Sequence, residues 1–364
     1  MRETRLEISR KRLQHNLDVF RSKISPQTKI LANLKGNAYG TGAVITGKYL
    51  EQQGIDYFSI AYINEGILLR KNNIRTNLIV FNPSFEHFKP LLDYRLEPEV
   101  SSLAYLQKLS DFLQTAAVKK FPVHLKLDTG MHRAGIMASE LDDLLRLLSA
   151  CPQIQVKSVF SHLAAAEDPD EDVFTLAQID LYKQMTRRIQ ENLSGKFFRH
   201  LLNTAGVFRF PEAQFDMIRP GLGIYGYNLI REARDELQPI ARFVTRINQI
   251  KRLNEGDTVG YNRNFTAGKN TEVALLPVGY ADGFNRLLGQ GRYRVRCKNK
   301  EAAVVGNVSM DTISIDISGM NCKPGDEVIL FDDQNDVYQM AEILQTIPYE
   351  IITSITRRVE RVMV

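Results

Sequence analysis

Short apolar runs alternate with longer segments of helical period from about residue 8 to residue 235, and brief turn signals separate the two. Runs of this length, rich in Val, Ile, Leu and Phe, predict strands. Eight stand out: KILANL, YFSIA, NLIVF, LEPEV, PVHLKL, VKSVFSH, FRHLLN and DMIRPGLGIYG. The intervening segments are amphipathic; Leu141, Leu144, Leu145 and Leu148 keep the i, i+3, i+4, i+7 spacing of a helix with one buried face. Strand and helix in alternation build a parallel sheet covered by helices. Eight such units over about 220 residues match a (β/α)8 barrel of the TIM type, with an open doubly wound sheet as the alternative. Past about residue 235 the helical patterns nearly stop, and ARFVTRINQIKRL, TEVALLPVGYA, RYRVRC, AAVVG, TISIDI and EVILF follow one another with turns at GDTVG and PGDE. The expectation is an α/β protein: an N-terminal barrel over residues 8–235 and a C-terminal, mostly β-strand domain over 236–364. Strand 1–7, around TRLEIS, is assigned to that second domain because it precedes the first helix.

Composition narrows the partners. The 364 residues are 44% hydrophobic, enough for a large core, and the net charge of +5 arises from 47 basic and 42 acidic residues without a long block of either sign. Neither a nucleic-acid nor a membrane partner is expected. The alternating Arg292, Arg294, Arg296, Lys298 and Lys300 read as a strand with one wet face. Cys151, Cys297 and Cys322 lack paired spacing, which fits a reducing compartment. The charged N-terminus has no apolar signal core, and no run approaches the roughly 18 apolar residues of a membrane span. A cytoplasmic location is expected. The six histidines show no HExxH or Cys/His spacing, so no metal site is expected.

Barrel enzymes carry their chemistry at the C-terminal ends of the strands. Here those ends hold Lys35 and Tyr39, then Lys126, Asp128 and Arg133, then His162, then Asn203 and Thr204, and finally Arg219 before Gly221. Singly, each is explained as a solvated loop residue or a satisfied structural one. Together they form a cationic rim with hydroxyls and glycines, suited to an anionic ligand. The stretch Gly42–Lys48 imitates the nucleotide motif GxxxxGK, but Tyr49 stands where Ser or Thr must hold Mg²⁺. It is better read as the start of the helix after the first strand.

The segment LKGNAYGTG at 34–42 resembles the cofactor-lysine motif of the alanine racemases, fold-type III pyridoxal-phosphate enzymes. The likeness continues in order through LDTGMHRAGI at 127–136, SHLAAAED at 161–168, HLLNTAG at 200–206 and IRPGLGIYG at 218–226. In the β domain it is carried by VGYNRNF at 259–265, LPVGYADG at 276–283, GNVSMD at 306–311 and IPYE at 347–350. Ordered matches over most of the chain are more specific than any single one.

The resemblance implies pyridoxal 5'-phosphate as cofactor, bound by an amine that forms a Schiff base, and that amine is Lys35. It implies interconversion of L- and D-alanine by two bases on opposite faces of Cα: Lys35 for the D-enantiomer and Tyr261 for the L-enantiomer. A phenol is a weak base at neutral pH unless nearby positive charge favours its anion. By resemblance His162 and Arg219 do this, and Arg219 also faces the pyridine nitrogen. The phosphate falls to Tyr39, Thr204, Tyr349 and the backbone of Gly221 and Leu222, with Asn203 nearby. Arg133 and the backbone of Met310 reach the substrate carboxylate, Tyr280 stands at the entrance, and Lys126 is the position of a possible carbamylated lysine. The family's tyrosine base comes from the partner subunit, which implies a head-to-tail homodimer with shared sites. D-alanine supply to peptidoglycan follows from the same resemblance.

Gly36, Thr41 and His132 depart from the commoner alanine, histidine and glycine, Asn307 and Ser309 replace Arg and Cys, and Glu360 stands where proline is usual. None removes a catalytic group; they lie partly near the positions of the substrate carboxylate and entrance, so they bear on the choice of amino acid more than on the reaction. Racemisation of serine or a broader set of amino acids is the near alternative. A non-catalytic cofactor carrier is disfavoured by the 130 or so residues after 235, and a fold-type III decarboxylase by its different second-domain signature.

Overall fold

The computed structural model describes residues 3–364. Strand β1 (Arg5–Ile8) opens the chain, and the barrel strands follow: β2 (Lys29–Asn33), β3 (Tyr57–Ile60), β4 (Asn77–Val80), β5 (Glu97–Val100), β6 (Phe121–Lys126), β7 (Ile154–Phe160), β8 (Phe198–His200) and β9 (Met217–Ile218). Each of the eight barrel strands overlaps the run predicted for it; six lie inside their runs, while β6 starts one residue earlier, at Phe121, and β7 two residues earlier, at Ile154. They pair in parallel in the order β8-β7-β6-β5-β4-β3-β2-β9. The two edges are drawn together by backbone bonds from Asp216 N–H to Arg199 O (3.0 Å) and from Arg219 N–H to Leu202 O (2.9 Å), so the barrel is nearly closed.

Its interior is divided. Leu31, Tyr57, Ile79 and Met217, on β2, β3, β4 and β9, form an apolar cluster of their own. Across from them β5 to β8 turn Glu97, His124, Ser158 and His200 inward, all buried. Such groups persist in a core only when hydrogen-bonded.

Helices cover the barrel where the spacing predicts them. Leu141–Ala150 buries Leu141, Leu144 and Leu148, and Gly42–Lys48 enters the helix Ala43–Gln52. The first helix, Arg10–Lys23, starts at Ser9, whose hydroxyl accepts from Arg12 N–H as an N-cap. Its buried Asn16 donates to Ile224 O and Gln238 O and accepts from Gln238 N–H, which ties the helix to the segment leaving the barrel.

The second sheet holds nine strands: β10 (Ala241–Arg246), β11 (Gln249–Arg252), β12 (Glu272–Leu276), β13 (Arg294–Cys297), β14 (Lys300–Val305), β15 (Ile313–Asp316), β16 (Glu327–Phe331), β17 (Glu360–Met363) and β1, in the order β11-β12-β15-β14-β13-β16-β10-β1-β17. The run ARFVTRINQIKRL splits into β10 and β11, which lie apart in this sheet. Two helices, Gln334–Ile343 and Pro348–Thr353, and strand β17 went unpredicted; an Asp333 N-cap and a Pro at the first helical position mark those helix starts. The basic strand is tied to acids: Arg296 bonds Asp336 (2.6 Å) and Lys298 reaches Asp326 (2.9 Å).

Candidate active site

The C-terminal ends of the barrel strands open onto a cavity of about 520 Å³, within the range of small-molecule sites. β2 delivers Lys35 to it through an unusual turn. Gly36, Asn37, Ala38, Tyr39 and Gly40 are all left-handed, with φ from 51° to 83°. Three successive non-glycine residues in this region cost roughly 1–2 kcal/mol each, so the turn must be held from outside. Glu65 accepts from Gly36 N–H, Asn37 Oδ1 accepts from Ala43 N–H, and Arg361 Nε–H donates to Gly40 O. Gly40 admits no side chain, since a Cβ there would stand 2.0 Å from Ile352 O.

One wall is neutral and rich in hydroxyls. Tyr39 stacks on Tyr225 (4.7 Å between centroids) and lies 5.9 Å from the ring of Tyr349. Burial raises both site phenols, Tyr349 to about 12, so each remains a donor. Asn203 caps the short helix Thr204–Arg209 by accepting from Gly206 N–H, and Thr204 Oγ1 accepts from Gly223 N–H. A Cβ on Gly221 would come within 3.0 Å of Tyr39 Oη, so glycine keeps this corner open.

The opposite wall is cationic. Arg219 is 4% exposed and held by Ser161 O, Leu201 O (2.9 Å) and His200 Nδ1 (2.9 Å); its other reach, 3.4 Å, is to His162 Nδ1. Burial brings its pKa down to about 10, still a cation at neutral pH. Burial, then the charges of Arg219, Arg133, Lys126 and Lys35, push His162 well below the usual imidazole range. It is therefore a neutral ring that accepts from Arg219 at Nδ1 and carries its proton on Nε2. The positive charge expected from this pair resides on Arg219 alone. Lys35 is lowered by enclosure of its amine and by Arg133 and Lys126.

The cavity gathers Lys35, Tyr39, Lys126, Arg133, His162, Asn203, Thr204, Arg219, Gly221 and Tyr349, and Leu222 is buried beside it. It also holds Asn33, Phe81, Asn82, Glu99 and Phe160, which the sequence reading passed over. The same strand-end rule points to Phe81 and Asn82 just after β4 and to Glu99 near the end of β5. Glu99 is buried, 3.5 Å from Lys126 Nζ, with Oε2 unpartnered; burial raises it to about 7 against the pull of Lys126.

Tyr261, Tyr280 and Met310 are not brought into this cavity. They lie on the β domain, 70%, 43% and 53% exposed. Gly260, Asn262 and Arg263 give the Tyr261 turn positive φ, and Asn307 pins it by donating to Tyr261 O (2.8 Å) while accepting from Asn264 and Gln290. Tyr280 and Met310 sit on adjoining turns joined by Tyr280 N–H to Ser309 O and Ala281 N–H to Met310 O. Among the described residues no group of three His, Cys, Asp or Glu is placed to hold a metal ion, and no helix is long and apolar enough to cross a membrane.

Residues 8–229 match the family described as "Alanine racemase, N-terminal domain", and residues 240–363 the one described as "Alanine racemase, C-terminal domain". The chain belongs to the alanine racemase family. Among its relatives, the alanine racemase of Treponema denticola is 33% identical over 377 residues, which span 100% of this chain and 99% of that protein. The alanine racemase structure from Clostridium difficile 630 superposes with a TM-score of 0.94 at 31% identity, covering 100% of this chain and 96% of that one. That of Bartonella henselae, described with covalently bound pyridoxal phosphate, has a TM-score of 0.88 at 25% identity, with both chains fully covered. The strand-end cavity and the separate β domain are thus the two halves of an alanine racemase fold.

Proposed function

We propose that this chain interconverts L- and D-alanine with pyridoxal 5'-phosphate, using Lys35 and Tyr261 as the two bases. The observation that carries the reading is Lys35 set between a wall of neutral donors and a buried arginine. The residues present fit the cofactor: the corner that a Cβ on Gly221 would fill, with Tyr39, Thr204, Tyr349, Asn203 and the backbone of Gly221 and Leu222 around it, suits a phosphate. When bound, pyridoxal phosphate supplies a conjugated ring that accepts the electron pair left when the Cα–H bond of alanine breaks.

Lys35 would hold the cofactor through Nζ, and its amine would take or return the Cα proton on one face. Its lowered pKa increases the neutral fraction needed for both tasks. Arg219, fixed by the backbone carbonyls of Ser161 and Leu201, would hold the cofactor's ring as a permanent cation and so disfavour a proton on its nitrogen. Tyr261 of a second copy would serve the other face. Arg133 with the backbone of Met310 holds the substrate carboxylate, and Tyr280 lines the entrance. Lys126 remains the candidate for carbamylation, because burial and Arg133 lower its pKa toward the neutral amine that reacts with CO₂, while Glu99 opposes.

In this reading residues 8–235 hold the cofactor, and residues 236–364 with the N-terminal strand expected over 1–7, of which residues 1–2 lie outside the described residues, supply the partner's half of a head-to-tail homodimer. The enzyme would work in the cytoplasm and provide D-alanine for peptidoglycan. Incubation with pyridoxal phosphate and L-alanine, followed by chiral chromatography, tests the proposal: D-alanine should form, and Lys35→Ala should abolish it. Turnover of serine in its place would reject alanine as the substrate.

A further inference from the structure

Beneath the cavity, buried polar side chains form an unbroken line across the barrel. Arg219 Nη1 lies 2.9 Å from His200 Nδ1, His200 Nε2 lies 2.8 Å from Ser158 Oγ, Ser158 Oγ lies 2.6 Å from His124 Nδ1, and His124 Nε2 lies 2.7 Å from Glu97 Oε2. The line follows the strand order, since β5, β6, β7 and β8 each contribute one member and Arg219 follows β9. All five are buried. His200 is further fixed by stacking on Phe160 at 4.8 Å, and the guanidinium of Arg219 lies 5.3 Å from the same ring.

With both imidazoles neutral, the two ends determine the direction of every bond between them. A guanidinium only donates and a carboxylate only accepts, whereas a hydroxyl or a neutral imidazole does one of each along such a line. Arg219 N–H donates to His200 Nδ1, which puts the ring's proton on Nε2. That N–H donates to Ser158 Oγ, the Ser158 hydroxyl donates to His124 Nδ1, and His124 Nε2–H donates to Glu97. A protonated His200 would set N–H against N–H at Arg219; burial and the arginine's charge also hold that ring well below the usual imidazole range.

We propose that Glu97, His124 and Ser158 are positioning residues for Arg219, acting through a one-way hydrogen-bonded chain that fixes both histidine tautomers and the plane of the guanidinium. Its bearing on turnover rests on the reading of Arg219 as the group that faces the cofactor ring. Ser158 is the informative link, because its loss breaks the chain without removing a charge. Ser158 does not line the cavity.

The test labels the histidines of the full-length protein with ¹⁵N and follows them by NMR, with and without pyridoxal phosphate, from pH 6 to 9. In their neutral forms His124 and His200 should each show a bare Nδ1 and a protonated Nε2. In Ser158→Ala, the His200 signals should lose that pattern and kcat for racemisation should fall by about tenfold, the worth of one buried hydrogen bond, with KM for alanine little changed. Ser158→Thr, which keeps the hydroxyl, should restore both. Wild-type tautomers and kcat in Ser158→Ala, or a threonine variant as impaired as the alanine one, would overturn the proposal. Failure of the unaltered protein to racemise alanine would reject the function reading alone, because the tautomer pattern decides the chain by itself.

Discussion

Glu99 is a buried acid among four basic side chains at the cavity, and burial still dominates, raising it from 4.5 to about 7. Between those two values the unfolded chain has released the proton that the folded protein retains. The folded state binds more protons, so this group's contribution to stability falls as pH rises through that window. Urea unfolding at pH 5 and pH 7.5 should therefore show a smaller loss in Glu99→Gln than in the unaltered protein, the difference amounting to a few kcal/mol at about 1.4 kcal/mol per pKa unit. Equal losses in the two proteins would show that Glu99 ionises freely. At the chemical step, Tyr261→Phe removes a base without touching the cavity wall. Turnover from L- to D-alanine should drop by two orders of magnitude or more, with the cofactor's absorbance unchanged; undiminished activity would reject the two-base assignment.

The left-handed turn that presents Lys35 belongs to the scale of the element. Its strain is held by Glu65, Arg361 and the close approach of Ile352 to Gly40, so the turn depends on contacts from the β domain as well as the barrel. Gly40→Ala adds a Cβ against Ile352 O in a residue at φ 83°. A loss of at least about 2 kcal/mol is expected from the left-handed penalty and the clash together, read by thermal denaturation. Cofactor affinity should fall with it, as Tyr39 and Lys35 lie on the same turn. A variant as stable as the parent would mean the turn is held less tightly than these contacts imply.

At the scale of the whole molecule, Tyr261, Met310 and Tyr280 are exposed on the β domain while Lys35 lies in the barrel mouth. A head-to-tail pair would complete each site from two chains. Mixing inactive Lys35→Ala with inactive Tyr261→Phe should then recover about one-quarter of full activity, because random exchange makes half the dimers mixed and each mixed dimer carries one intact site. No recovery on mixing, with exchange verified by mass spectrometry, would place both bases in one chain.

Hydrophobic period alone made the barrel legible, because each strand needs a run buried on both faces and each helix a stripe such as Leu141, Leu144 and Leu148. The rim was legible for a related reason: in a barrel, strand ends converge wherever they fall in the chain, so Lys35, His162 and Arg219 could be grouped before any distance was known. The order of motifs carried the family. Other features were decided only by tertiary structure. Strand β17 owes its form to the sheet it completes, whereas the helix Gln334–Ile343 buries Val337, Met340 and Ala341 at helical spacing behind its Asp333 cap, a signal the sequence already carried. The left-handed turn at Gly36–Gly40 is set by Glu65, Arg361 and Ile352, which lie far away in the chain. His162 is neutral because burial and surrounding cations outweigh its intrinsic basicity. The line from Glu97 to Arg219 exists because neighbouring strands face their side chains into one interior, and a one-residue slip in any of them would turn its member outward.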